Sequence, residues 1–436
     1  MASDGEHAAA AGEAGQARPA GRGTFSSLSS RNYRLYFFGQ GISVSGTWMQ
    51  TVAQSFLVLQ LTNSGTELGL ATAARFVPIF LFGPWGGLVA DRLDKRRLLF
   101  VTQTLSGLLA LAFGILVGTH AIRMWMVYLL ALGLGFVNVF DNPARQTLIT
   151  ELVPRPLMRN AVTLNSVSIN IARIFGASLG GIIASVLGLA LCFDLNAASF
   201  GAVILSLALM SSAQMFPGER ETREKGQIRA GLTYVRSEPE LLVPLLMVAI
   251  IGALAWEFPI SLPLVARSTF HGGAGTYGVM TAVMGAGAVV GGLITASRKG
   301  VRRRGLAVAA IGWGVAITAA ALAPSLPLEY AALVFVGYGS ISFNALAKTA
   351  LQLSSASAMR GRVMALWAVA WMGSTPIGGP IVGLAGQELG ARWALIIGGV
   401  PTLLVGLATL PVLAQVDRRH AQRRLRTTGA GAALNS

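Results

Sequence analysis

The sequence predicts an all-α membrane protein, with twelve transmembrane helices in two pseudo-symmetric six-helix bundles. Its 436 residues are 53% hydrophobic and only 12% charged, against about 25% charged in a soluble domain. The apolar residues gather into twelve runs, each close to the roughly 20 residues that a helix needs to cross a bilayer. Lys and Arg fall almost wholly in alternate connections between those runs.

The runs lie near 33–60, 69–90, 98–118, 124–146, 161–186, 189–211, 241–266, 275–296, 305–323, 328–351, 362–386 and 391–414. Several hold Gly and Pro, which lipid-embedded helices tolerate. The 53 glycines show no Gly-X-Y period, so collagen is excluded, and they fit closely packed membrane helices.

Orientation follows from the basic residues. With the N-terminus inside, the cytoplasmic connections hold Arg92, Lys95, Arg96 and Arg97, then Arg155 and Arg159, Arg220 to Arg236, Arg298 to Arg304, and Arg360 and Arg362. The opposite side holds Arg123, Arg267 and Arg392. Both ends are therefore expected in the cytoplasm, in the cell (inner or plasma) membrane. A net charge of +16 in a soluble chain would suggest nucleic acid. Its placement in short loops between apolar runs excludes that reading. The single cysteine, Cys192, lies in an apolar run and reads as packing.

Five segments are expected: a disordered cytoplasmic tail over 1–30, a first bundle over 31–211, a cytoplasmic central loop over 212–240, a second bundle over 241–414 and a basic tail over 415–436. The first 30 residues have no apolar core and do not read as a signal peptide. The halves echo each other at an offset of about two hundred residues. Gly86-Gly87-Leu88-Val89-Ala90-Asp91 pairs with Gly291-Gly292-Leu293-Ile294-Thr295-Ala296, Ala144-Arg145-Gln146-Thr147 with Ala347-Lys348-Thr349-Ala350, and Gly176–Gly188 with Gly378–Gly390. Duplicated bundles around a midplane site are a common transporter architecture.

Gly87-Leu88-Val89-Ala90-Asp91-Arg92-Leu93-Asp94-Lys95-Arg96-Arg97 resembles the loop signature of the major facilitator superfamily, apart from Asp94 where the family usually has Gly. Asp141-Asn142-Pro143-Ala144-Arg145-Gln146, Glu151-Leu152-Val153-Pro154 and Arg360-Gly361-Arg362-Val363-Met364-Ala365-Leu366 resemble the branch of enterobactin-type siderophore exporters and macrolide efflux proteins. The resemblance implies the major facilitator fold and a conformational latch at Gly87, Asp91, Arg92, Lys95, Arg96, Arg97, Glu151 and Arg159. The alternative for these residues is a positive-inside topology signal. Proton antiport is implied by kinship alone. Gly176-Ala177-Ser178-Leu179-Gly180-Gly181 lacks the Pro of the antiporter signature.

Ionisable groups inside spans are costly and mark functional positions. Arg173 falls near the midplane of the fifth run, for substrate or coupling or as a structural charge. Asn138, Asp141 and Arg145 share one helix face, as a cytoplasmic gate or an intrahelical pair. Glu257 lies between apolar stretches near Pro259 and Pro263, for proton binding or as a vestibule residue. Lys348 is expected to mirror Arg145, with Asn344 beside it. Gln40, Ser43, Thr47, Gln50 and Gln54 recur at spacings 3, 4, 3, 4, one polar stripe facing the bundle interior. It lines the substrate path or bonds a neighbouring helix. Asn170 with Arg173, and Trp367 with Trp371, form similar stripes.

Gly176-Ala177-Ser178-Leu179-Gly180 matches the hydrolase string G-x-S-x-G but lies within a span rather than at a strand-to-helix turn. The four histidines fall in tails or outer loops, and no phosphate-binding loop G-x-x-x-x-G-K-[ST] occurs. No enzyme, cofactor or metal is expected. The expected function is proton-coupled efflux of an amphipathic small molecule, a siderophore, macrolide or other drug, by a monomer in the lipid bilayer with H+ as coupling ion. An importer or uniporter of a small metabolite, or a non-transporting receptor, is the alternative.

Overall fold

The computed structural model describes residues 24–216, 227–297, 303–356, 359–372 and 374–433. These are almost wholly α-helical, with no strand among the described residues. The first half contains α1 (Arg31–Thr62), α2 (Gly65–Arg92), α3 (Lys95–Gly118), α4 (Met124–Glu151), α5 (Met158–Val186) and α6 (Leu189–Leu209). A short helix α7 (Gln227–Ser237) precedes the second half: α8 (Pro239–Ala255), α9 (Phe258–Leu264), α10 (Ala274–Ser297), α11 (Arg304–Ala321), α12 (Leu326–Ser354), α13 (Arg360–Met372), α14 (Thr375–Glu388) and α15 (Trp393–Ala433).

Among the described residues, ten helical stretches are long and apolar enough to cross a membrane. The other two predicted spans are also helical. The glutamines and hydroxyls of α1 lower its hydropathy, and the eleventh span is divided into α13 and α14. The seventh span breaks at Trp256 and Glu257, where Pro259 supplies no N–H for a continuing helix.

The halves repeat the same packing. In the first, α2 lies on α4, α3 on α6, and α1 on α5 and α6. In the second, α10 lies on α12, α11 on α15, and α8 on α13, α14 and α15. The repeat extends to the turns, since Gly188 before α6 and Gly390 before α15 both carry positive φ, 96° and 104°, a region that favours glycine.

Alternation of direction places the start of α1, the α2–α3 and α4–α5 connections and the end of α15 on one face, here the terminal face. The α1–α2 and α9–α10 turns lie on the distal face. The halves meet along two related seams, α2 with α14 and α5 with α10. Ser64 donates to Oε1 of Gln387 at 2.5 Å, and the N–H of Thr66 donates to the same oxygen at 3.1 Å. Ser55 donates to the Pro259 carbonyl at 3.1 Å, and Phe56 stacks on Tyr277 with centroids 6.1 Å apart. All of these cross-half contacts belong to the distal portion.

Three expected irregular segments contain helix. The central loop over 212–240 includes α7, which packs on α13 and α8. The tail over 415–436 continues α15 as far as Ala433. Residues 1–23 lie outside the described residues, but Ser26–Ser29 form a 3-10 turn. Ser27 N–H donates to Oδ1 of Asn160 at 3.0 Å, and Ser30 donates to the Leu152 carbonyl at 2.6 Å. Local polar bonds absorb chain that composition alone marks as loop.

Candidate functional site

Between the halves, at mid-depth, lie two adjoining cavities of about 250 and 240 Å³ that share Trp48, Thr72, Phe76 and Pro259. The first is lined also by Arg173, Trp256, Glu257, Tyr277 and Trp371, the second by Thr47, Thr51, Gln54 and Arg75. α1, α2 and α5 supply one wall. The broken seventh span, α10 and the α13–α14 pair supply the other.

The guanidinium of Arg173 lies over the Trp48 ring, 4.6 Å from its centroid. Its Nε is buried without a hydrogen-bond partner. A tryptophan face attracts a cation but accepts no strong hydrogen bond, so the donors of Arg173 remain available. Glu257 is 3% exposed, its Oε1 is buried without a partner, and its carboxylate faces Thr375. The interruption of the helix at Glu257 brings this acid to the cavity. Arg75 projects from α2 between Thr72 and Phe76 and has no hydrogen-bond or ion-pair partner among the described residues. Arg75 is absent from the sequence candidates, although a charge inside the second apolar run is the same signal that marks Arg173.

An aromatic chain backs the second wall. Trp256 and Trp371 have centroids 4.4 Å apart, and Trp371 stacks on Trp367 at 6.2 Å with ring planes 10° apart. Trp256 also meets Trp313 edge-on at 5.9 Å. Lys348 covers the other face of this chain, its Nζ 5.3 Å from the Trp367 centroid. Trp256 is likewise missing from the sequence candidates, and only the break after it turns it towards the cavity.

Several candidates lie elsewhere. Thr47 and Gln54 line the cavity, but Gln40 and Gln50 do not. Both are buried, and the Asn196 amide of α6 donates to Gln50 Oε1 at 2.5 Å. The stripe therefore divides, Thr47 and Gln54 lining the cavity while Gln50 bonds α6. Asn170 donates to the Ser166 carbonyl of its own helix at 2.9 Å. Asn138 and Asn344 are half-buried and outside the lining.

Asp141 and Arg145 form an intrahelical pair. Arg145 Nε donates to Asp141 Oδ2 at 3.0 Å, while Thr102 and Gln103 of α3 each donate to Oδ1 at 2.7 Å. Lys348 does not mirror this arrangement. Asn344, not an acid, stands four residues before it, and Lys348 is exposed.

Three of the loop residues assigned to a latch, Lys95, Arg96 and Glu151, have partners within the first half. Lys95 pairs with Glu151 at 3.2 Å. Arg96 donates to the Leu207 carbonyl at 2.6 Å, and to the Ala208 carbonyl and Ser212 hydroxyl at 3.0 Å each, closing the end of α6. Arg92, Arg97 and Arg159 are exposed, and Gly87 is half-buried. The Asp91 side chain lies outside the described residues. Asp94, at the position where the resembling family has Gly, caps α3 by accepting from the Arg97 N–H at 2.8 Å.

Residues 22–427 match the family described as transmembrane secretion effector, within the major facilitator superfamily. The chain belongs to this family of transporters. It is 24% identical over 390 residues to the enterobactin exporter EntS of Citrobacter koseri, covering 88% of this chain and 92% of that one. It is 25% identical over 268 residues to the staphyloferrin A transporter of Staphylococcus aureus, covering 59% of this chain and 66% of that protein. Among solved structures, the nucleoside transporter NupG aligns with a TM-score of 0.69 at 12% identity, over 88% of this chain and 98% of that one. A bacterial homologue of the iron transporter ferroportin aligns at 0.67 and 14% identity, over 89% and 98%. These likenesses show the shared fold of this multi-pass membrane transporter.

Proposed function

We propose that this chain exports a small amphipathic organic molecule by alternating access, driven by the proton gradient. The carrying observation is the cavity itself: it holds Arg75, Arg173 and Glu257 between two halves that meet at their distal ends. Charges at mid-depth in a membrane need a function or a partner. Basic residues crowd the terminal face, and the positive-inside rule makes that face cytoplasmic. On that assignment the distal seams close the outer side, so the cavity takes its cargo from the cytoplasm. Export of a siderophore-like compound draws support from the relative named as an enterobactin exporter. Glu257 carries the proton, because a buried carboxyl group with an unpartnered oxygen can hold one in one state and release it in the other.

The test is accumulation of siderophores, macrolides and related compounds in cells with and without the protein, repeated after the proton gradient is collapsed. Lower accumulation in the expressing cells, abolished by collapse, is expected. Equal accumulation in all arms across these compounds rejects the reading.

A further inference from the structure

We infer that the cavity selects organic anions carrying a flat unsaturated ring; the inference rests on the transport reading and narrows its cargo. Two guanidiniums and one carboxyl group, Arg75, Arg173 and Glu257, line the adjoining cavities, so the positive charge in excess among the described lining residues is one (2 − 1) when Glu257 is ionised and two when it holds a proton. Neither arginine has a hydrogen-bond or ion-pair partner there: the Nε of Arg173 is buried and unpartnered, and Arg75 stands between Thr72 and Phe76 with none. A guanidinium removed from water without an acceptor is costly, and a carboxylate or similar anion restores both charge and acceptors in a paired geometry. Glu257 cannot neutralise both cations.

The remaining surface selects for shape. Trp48 already presents a ring face to Arg173. Across the cavity, Trp256 and Trp371 stand 4.4 Å apart by centroid, held from behind by Trp367. Aromatic walls of this kind favour a planar ring in offset or edge-on contact. A cationic ligand meets two like charges, and a neutral one brings no countercharge, so its acceptors cannot give either arginine a charge-assisted pair. The ring of the cargo therefore lies against the tryptophans with its anionic group towards Arg173, and Arg75 of the adjoining cavity adds to the positive field.

The experiment is calorimetric titration of the full chain in detergent with three probes of one ring: naphthoate, naphthamide and naphthylmethylammonium. Naphthoate is expected to bind saturably, about tenfold or more tighter than the other two, as charge-assisted pairing allows. Arg75→Gln and Arg173→Gln should each weaken naphthoate about tenfold and leave naphthamide within about twofold, with the Lys variants in between. Absence of saturable naphthoate binding to the native chain overturns the inference, as does equal affinity for the amide or the cation. If the Gln variants do not fold, the Lys variants and the native acid-to-amide ratio decide. Flux in proteoliposomes separates the two readings. Movement of the amide or the cation but not the acid defeats anion selection and leaves export standing. Acid that binds but moves under no gradient defeats export alone.

Discussion

Gly69 and Gly379 face each other across the two halves so closely that a β-carbon on Gly69 would sit 2.4 Å from the Gly379 carbonyl oxygen. One turn along, a β-carbon on Gly383 would sit 2.3 Å from the Gly65 carbonyl oxygen. The related seam repeats this, a β-carbon on Gly278 lying 2.7 Å from the Ala177 carbonyl oxygen and 2.8 Å from Gly181 Cα. Here small residues permit backbone contact between bundles that would otherwise be held apart by side chains.

Gly69→Leu should therefore force the distal seam open. Spin labels at Leu61 and Leu389, both exposed near that end, should report a distance distribution shifted to longer values. Gly83→Leu is the control, because a β-carbon there meets nothing within 4 Å. Matching distributions for both variants count against the seam as the distal closure.

Asp141 gathers Thr102, Gln103 and Arg145 around one buried carboxylate. The network joins α3 to α4 within the first half. Asp141→Asn leaves Arg145 without its counter-charge, a change that costs about 3 kcal/mol when a buried pair loses one partner. The melting temperature in detergent should fall, and Asp141→Asn with Arg145→Gln should recover part of the loss. A single variant as stable as the native chain would remove the network from the account of stability.

The bundles, the repeat and the family were legible because hydropathy, basic-loop asymmetry and the motif at Asp91 are properties of consecutive residues. The division of the α1 stripe was not. Gln50 and Gln54 are one helical turn apart on the same stripe, yet one bonds Asn196 and the other lines the cavity, a distinction set by where α6 packs. Trp256 was hidden for the same reason, since the break before Pro259 decides its direction. Arg75 was legible in principle. Helix α7 was obscured because polar composition marks chain outside the membrane without saying whether it is helical.

Glu257→Gln should uncouple transport without removing the cavity. The amide keeps the size of the side chain and cannot release a proton in the working pH range. Downhill exchange of a bound cargo in proteoliposomes is expected to stay within about twofold of native, because a change that spares ground-state binding leaves affinity near its native value. Uphill movement on an imposed proton gradient should be lost. Retained gradient-driven movement by this variant would assign coupling to another group.

Asp91 and Arg96 should separate function from stability within one loop. Arg96 makes three bonds that close α6 and bind the loop to its own half. Its loss in Arg96→Ala should cost about 2 kcal/mol, in line with hydrogen bonds from a charged donor, and lower the melting temperature. Asp91 belongs to the segment that resembles the transporter latch, and a carboxylate there gains from a helix N-terminus of the other half only when the terminal face closes. Asp91→Asn should therefore leave insertion and melting temperature as native while cutting the transport rate. Labels across the terminal face should then show fewer closed molecules. Native transport by a well-expressed Asp91→Asn chain would mean that the loop's charges set topology alone, with no part in the conformational cycle.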